Sequence, residues 1–292
     1  MTVSTSAPFQ SLKGVRILSL ALNLPGPAAL MRCRQMGAAC LKLEPPSGDP
    51  MRQYSPAAYA QMHDGIEVQT ADLKTEAGQT VLHRELAKAD VLLTSFRPSA
   101  FAKLGIGWEL LHRLYPSLSQ VAIVGSPGER AEEPGHDLTY LADSGLVPGM
   151  ELPATLYADM SGSLMASEAV LQATLTQHTQ DQGLFIEVAL SEAAAYLALP
   201  RQWGLTQPGG WVGGAHAGYR VYACKDGRVA LAALESHFAA ALCAAAGVAG
   251  SSIQTLLAPA TRQVITDFLL TQTRQELDVL AATKDIPLHT MA

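Results

Sequence analysis

The run Val15-Arg-Ile-Leu-Ser-Leu20, then Pro25-Gly26-Pro27, a helical stretch at 28–36, Gly37 and Cys40-Leu-Lys-Leu-Glu44, decides the fold. A short apolar run suits a strand covered on both faces; Pro-Gly-Pro breaks it, and Gly37 caps the helix that follows. A second strand comes at once, so the unit is a strand, a crossover helix and a parallel strand. The pattern continues with a strand at 66–70, a helix at 76–88 and strands at 91–94 and 120–124. A long helix rich in Ala, Leu and Met at 160–177, the strand Leu184-Phe-Ile-Glu-Val188 and a helix at 191–203 complete it. Alternation of this kind predicts an α/β fold with a Rossmann-like parallel sheet over residues 1–205.

Beyond that point the composition changes. Gln207-Pro-Gly-Gly-Trp-Val-Gly-Gly214 makes 206–218 a Gly-rich linker or mobile loop rather than an element. Residues 219–292 then read as a smaller α+β domain. Strands at 219–223 and 228–232 flank the hairpin signal Lys225-Asp226-Gly227, and helical patterns follow at 238–246, 262–270 and 274–282.

The chain has 292 residues, 48% of them apolar, enough to bury a sizeable core and to exclude disorder. Twenty basic against 26 acidic residues give a net charge of −6, with a pI near 5.7. That excludes a broad nucleic-acid surface but not a local phosphate pocket. Cys33, Cys40, Cys224 and Cys243 show neither CxxC spacing nor secreted-domain density, so they read as reduced, half-buried thiols of a cytoplasmic protein, with no structural metal. Residues 1–10 are Ser/Thr-rich without the apolar segment of a signal peptide and read as a frayed tail. The uncharged stretch between His237 and Arg262 is Ala, Gly and Ser with Pro259, too poor in large apolar residues for a membrane span.

The turn after the first strand, Asn23-Leu-Pro-Gly-Pro27, lacks the GxGxxG of a dinucleotide site, and no GxxxxGK[ST] loop or GxSxG elbow occurs. What stands out is a histidine and a carboxylate. His136 lies in Pro134-Gly-His-Asp-Leu-Thr-Tyr140, after a strand and a Gly/Pro-rich loop, where doubly wound sheets place ligand-contacting residues. Asp159 follows 23 residues later in Tyr157-Ala-Asp-Met-Ser-Gly162, where a long apolar helix begins. Each also has a bland reading, His136 as a capping or core residue and Asp159 as an ordinary N-cap.

Taken together the blocks resemble a family. Gly135-His-Asp-Leu-Thr-Tyr-Leu-Ala142, Leu156-Tyr-Ala-Asp-Met-Ser-Gly162, Gly14-Val-Arg-Ile-Leu-Ser-Leu20 with Gly26-Pro27, and Lys42-Leu-Glu-Pro-Pro-Ser-Gly-Asp-Pro50 are similar to family III coenzyme A transferases, the CaiB/BaiF superfamily. Ala89-Asp-Val-Leu-Leu-Thr-Ser-Phe-Arg-Pro98 and Lys103-Leu-Gly-Ile-Gly107 extend the resemblance, which runs from about residue 14 to 288. The GHD-x-x-Y-L-A form looks like the α-methylacyl-CoA racemase branch.

The resemblance implies racemisation or epimerisation of 2-methylacyl-CoA thioesters. His136 and Asp159 exchange the α-proton from opposite faces through an enolate, and Glu235, in Ala232-Ala-Leu-Glu-Ser-His237, orients the histidine. The bland reading of Glu235 is an acidic residue in a helix's first turn. Lys42, Lys74, Arg97 and Lys103 are the expected cations for the phosphates of CoA. Asp72-Leu73-Lys74 and Thr94-Ser95-Phe96 resemble the loops that hold adenine and pantetheine, Phe96 having core packing as its bland alternative. Gly135, Tyr140 and the backbone amide near Asp137, an expected donor to the enolate oxygen, complete the set.

The chain departs from the family in three places. Ser95 replaces a common asparagine, and Lys103 stands where an arginine is usual, which loses bidentate phosphate geometry. Relatives continue from a segment like Ile286-Pro-Leu-His-Thr-Met-Ala292 with a stretch that returns to the first domain and interlocks two subunits. The chain is thus a natural short form or a truncated one; a homodimer is expected. The expected ligands are acyl-CoA or CoA, with no cofactor beyond the CoA moiety, no nucleic acid and no membrane. The apolar helix at 160–177 with Met62, Met150 and Met165 is a candidate lining for a tolerant acyl pocket, although methionines at helical spacing are more often core. One rival reading is a CoA transferase in which Asp159 is the nucleophile, passing through an anhydride and an aspartyl-CoA thioester. A third is a non-catalytic CoA-binding subunit.

Overall fold

The computed structural model describes residues 9–180 and 182–292. All but the last two residues of the expected frayed tail lie outside that range. The chain divides into two compact units, Met1–Ala198 and Leu199–Ala292.

In the first unit β1 (Arg16–Ser19), β2 (Ala39–Glu44), β3 (Glu67–Thr70), β4 (Val91–Thr94), β5 (Ser119–Val124) and β6 (Phe185–Ala189) form a parallel sheet ordered β3-β2-β1-β4-β5-β6. Ile17 of β1 lies opposite Cys40 on one side and Val91 on the other. Every residue of β4 and β5 is buried, as expected of central strands covered on both faces. Ile17, Val91, Leu93 and Val121 pack with Leu30 and Cys33 of the Pro25–Gln35 helix and with Ala166, Val170 and Ala173 of the Tyr157–Gln180 helix. Leu18, Leu43 and Leu92 point the other way, against Leu82 and Leu86 of Glu76–Leu86, Phe101 of Pro98–Lys103 and Leu111 of Trp108–Leu114. The alternation along each strand thus builds one helical layer on each face.

Several local expectations are corrected. Pro25-Gly26-Pro27 does not precede the first helix but forms its first turn, where a missing proline N–H costs nothing. Gly26 is required there, because a Cβ would come within 2.2 Å of the Ala21 Cβ. The stretch 191–203 is two helices, Leu190–Leu197 and Leu199–Gln202, since Pro200 cannot donate back into the first. All four cysteines are buried rather than half-buried, and all are free. Burial pushes the Cys33 and Cys40 thiols up to about 12.

In the second unit β7 (Tyr219–Cys224), β8 (Gly227–Ala232) and β9 (Leu288–Met291) form an antiparallel sheet in that order. Sequence periodicity does not mark β9, which owes its order to pairing with β8. Tyr222, Val229 and Leu231 pack on Leu242, Ile265, Leu269 and Leu277 from the helices Ser236–Ala246, Pro259–Leu270 and Arg274–Lys284. Part of the expected linker, Trp211–Ala215, is a helical turn. Among the described residues no helix is long and apolar enough to cross a membrane.

Candidate active site

β1 has β2 on one side and β4 on the other, and the helices that follow β1 and β4 lie on opposite faces of the sheet. The loops leaving their C-terminal ends therefore part, and a crevice opens there, the usual ligand site of doubly wound sheets. A cavity of about 450 Å³ occupies it, lined by Leu22–Pro25 after β1, Ser95–Arg97 after β4 and Gly125 after β5. The Leu22 N–H donates to Ser95 Oγ (3.1 Å) and ties the two parting loops together.

His136 and Asp159 both line this cavity. His136 is exposed and immediately precedes the Asp137–Asp143 helix. The Thr139 hydroxyl closes that turn, accepting from the His136 N–H (3.0 Å) and donating to its carbonyl (2.7 Å). Asp159 is half-buried and stands as the third residue of Tyr157–Gln180. His136 stands at the N-cap position of that helix, as its capping reading expects, and is no core residue; Asp159 lies inside its helix rather than at the cap. The capping acceptor is Asp137, 5% exposed, whose Oδ1 takes the Asp159 N–H at 3.0 Å. Burial pushes the Asp159 carboxyl up to about 6, with the Asp137 charge adding to the rise and His136 opposing it. Near neutral pH both its protonated and ionised forms are therefore accessible.

Tyr140 packs against the cavity wall under two glycines. A Cβ on Gly125 or Gly135 would sit 2.2 or 2.4 Å from its hydroxyl oxygen, so the sequence needs glycine at both positions. Phe96 lines the cavity and also packs on Phe101, with ring centroids 5.5 Å apart. Leu73, Lys74 and Lys103 share a separate hollow of the same unit, of about 870 Å³. The Gln79 side chain spans it, donating to the carbonyls of Leu73 (2.6 Å) and Leu104 (3.2 Å). Asp72 accepts from the Lys74 N–H, and Thr94 is buried beneath the crevice. Glu235 belongs to the second unit, exposed, at the N-cap position of Ser236–Ala246.

One expectation fails. Lys42 is 0% exposed, with its ammonium among Asp49 (2.5 Å), Glu44 (3.1 Å) and His63 (2.9 Å). With its three donors spent, it has none for a phosphate. Glu44, Asp49 and His63 could together ligate a metal ion, but the lysine is the cation they hold here. Of the methionines, Met62 is buried in a small core with Met51 and Ala28, Met165 packs on the main core, and Met150 is 98% exposed. None lines the cavity; Met51 does. Sequence reading also missed Asn23 and Tyr54, whose side chains meet at the cavity through a 3.3 Å hydrogen bond from Tyr54 Oη to Asn23 Oδ1.

The model of CoA-transferase family III matches residues 12–292. The chain belongs to that family. Among family members, the probable fatty acyl-CoA transferase Rv3272 of Mycobacterium tuberculosis is 31% identical over 212 residues, 66% of this chain and 54% of its own length. The α-methylacyl-CoA racemase of Mus musculus is 28% identical over 268 residues, 85% of this chain and 68% of its own length. The chain spans about half the length of several curated transferases that it matches. The crystal structure of Rv3272 shares the fold, with a TM-score of 0.82 at 23% identity, covering 97% of this chain and 85% of that one. Family III membership makes the chain one of a group that holds both racemases and CoA transferases.

Proposed function

We propose that the first-unit cavity interconverts the two configurations at the α-carbon of a 2-methylacyl-CoA thioester by 1,1-proton transfer. The observation that carries this reading is that His136 and Asp159 share one cavity, with the Asp159 carboxyl raised to about 6. One group takes the α-proton as a base. The enolate oxygen is met by N–H groups where Asp137–Asp143 begins, and the other group returns a proton to the opposite face. Reversing the direction exchanges the two roles. Arg97 at the cavity and Lys74 with Lys103 at their hollow supply cations for the phosphates of CoA. Incubation of a (2R)-2-methylacyl-CoA in heavy water should introduce α-deuterium and scramble the configuration, with His136→Ala abolishing both. No exchange at any enzyme concentration overturns the reading.

A second reading, transfer of CoA between carboxylic acids, is favoured by the Asp159 carboxylate facing the cavity and by the transferases among the relatives. Asp159 would then attack the thioester carbonyl and expel the CoA thiolate to form a mixed anhydride, whose aspartyl carbonyl the thiolate attacks to give an aspartyl-CoA thioester and release the donor carboxylate. Hydroxylamine added with acyl-CoA modifies the protein at Asp159 only under this reading.

A further inference from the structure

We propose that Asn23 is a further catalytic residue, its side-chain amide donating to the thioester carbonyl oxygen, and that buried Lys42 and Asp49 are the positioning residues that hold it there. The inference rests on the reading of the cavity as an acyl-CoA thioester site, and applies whether a proton or the acyl group moves.

Among the described residues, Asn23 and Asp285 alone of the non-glycine residues have positive φ, at 66° and 52°. Asp285 ends the Arg274–Lys284 helix, where a left-handed residue is the ordinary stop. Asn23 ends no helix. It follows β1, lines the cavity from an exposed position and sits in the left-handed region, which asparagine adopts more readily than other non-glycine residues and which is frequent at active sites. Two bonds hold it there. Its N–H donates to Asp49 Oδ1 (3.1 Å), and its Oδ1 accepts from the Tyr54 hydroxyl (3.3 Å).

Asp49 is itself fixed on every side. Oδ1 also accepts from the Met51 N–H (2.9 Å), Oδ2 takes the Lys42 ammonium, and the Asp49 N–H donates to Glu44 Oε2 (3.3 Å). His63 Nδ1 lies 2.7 Å from the Tyr59 carbonyl, which makes Nδ1 the protonated nitrogen and leaves Nε2 to accept from Lys42. Burial lowers the affinity of His63 for a second proton. A fully buried, fully bonded ion cluster is costly to assemble and is best at fixing geometry. The geometry fixed on the cavity side is that of Asn23.

The Tyr54 hydroxyl occupies the oxygen end of the Asn23 amide, so its NH₂ end is left as the donor, with no acceptor among the described residues. Accepting from Tyr54 also polarises the amide and strengthens it as a donor. An enolate and a tetrahedral adduct both build negative charge on the thioester oxygen, and a neutral, preorganised donor is what either needs.

The test uses Asn23→Gly, which adopts the same φ without strain and removes only the amide, and Asn23→Asp, which keeps the shape and replaces the donor with an acceptor. The probe is isobutyryl-CoA labelled with ¹³C at the thioester carbonyl, followed by infrared difference spectroscopy and by α-deuterium exchange. The wild-type protein should lower the carbonyl stretch of the bound probe below its value in solution, and both variants should lose that shift. Where exchange occurs, kcat should fall about 10²- to 10³-fold, with the dissociation constant changing less than about threefold, since the amide acts on the developing charge. Asp49→Asn should slow the wild-type protein but not the Asn23→Gly variant, because a positioning residue acts through the one it positions. A retained shift and unchanged exchange in Asn23→Gly overturn the proposal, as does failure of the probe to bind. Additive losses in the double variant overturn the positioning role. A carbonyl shift without exchange overturns proton transfer while leaving Asn23 in place, so the two failures are distinct.

Discussion

Replacing Lys42 with methionine keeps the unbranched stem inside the first unit and removes only the ammonium. Glu44 and Asp49, 2% and 1% exposed, then face each other without the cation at 3.1 and 2.5 Å. Removing one partner of a buried ion pair costs about 3–5 kcal/mol, because the remaining charge is left desolvated. Two features place the expected loss at the lower end, about 3 kcal/mol. Glu44 keeps the Tyr59 hydroxyl (2.8 Å) and the Arg52 guanidinium (3.4 Å), while Asp49 keeps the Asn23 and Met51 N–H groups. Arg52 is 56% exposed and replaces little of the lost charge. Two units that unfold separately would blur a single transition, so the probe must belong to the first. Trp108 is the first unit's sole tryptophan, and its fluorescence is isolated in a Trp203→Phe, Trp211→Phe background. With a urea m-value near about 3 kcal/mol/M, the midpoint should fall by about 1 M. Arg130→Ala, which breaks a pair exposed on both sides at 3.0 Å, is the control and should shift it very little. Equal midpoints for the two variants would refute the reasoning, since Lys42 would then behave as a surface charge.

Because the Asp159 carboxyl is raised from 3.8 to about 6, kcat/KM should decline as pH falls below about 6 for CoA transfer, where Asp159 is the nucleophile, and for racemisation in the direction in which Asp159 is the base; in the reverse direction, where it is the acid, kcat/KM should decline as pH rises above about 6. Asp137→Asn keeps an acceptor for the Asp159 N–H but removes the like charge, so that limb should move to lower pH; a limb that stays put refutes the electrostatic coupling. The same elevation means that the folded state binds more protons than the unfolded chain between pH 3.8 and 6, so Asp159 weakens the fold progressively as pH rises across that window. Asp159→Asn should be more stable than wild type at pH 8, on the order of 1–2 kcal/mol after discounting for its partial exposure, and equal to it below pH 4 in denaturant titrations. Gly135→Ala should displace Tyr140, whose hydroxyl oxygen would lie 2.4 Å from the new Cβ. Its exchange rate should drop at least tenfold, since a misplaced neighbour of His136 spoils its alignment; rates within twofold of wild type would show that Tyr140 yields freely.

The central strands were legible because burial on both faces leaves a continuous apolar run, as in Val91-Leu-Leu-Thr94. The strand order was not, because it depends on which strands pair across the sheet, and β9 was missed for the same reason. His136 and Asp159 were visible as residue types in a pattern, but their common cavity is a product of the β5 and 157–180 packing, which no spacing reports. Lys42 shows the limit most sharply. Along β2, Cys40, Lys42 and Glu44 alternate with Leu41 and Leu43, and a period of two with charges on one face reads as a strand half in water. That face is instead closed by Asp49 and His63, 7 and 21 residues further on, together with the Tyr59 hydroxyl. Local pattern cannot distinguish a solvated lysine from one whose counter-charges arrive from distant segments. The stretch Lys42-Leu-Glu-Pro-Pro-Ser-Gly-Asp-Pro50 still carries three of the four network members. In this chain the stretch holds the loop after β1, through the bond from the Asn23 N–H to Asp49, and leaves Lys42 no donor for a nucleotide phosphate. That arrangement has a direct consequence: Lys42→Met should disturb the thioester end of the ligand while leaving the affinity for free CoA almost unchanged. Calorimetry with CoA, set beside the infrared shift of the bound thioester, separates those two ends.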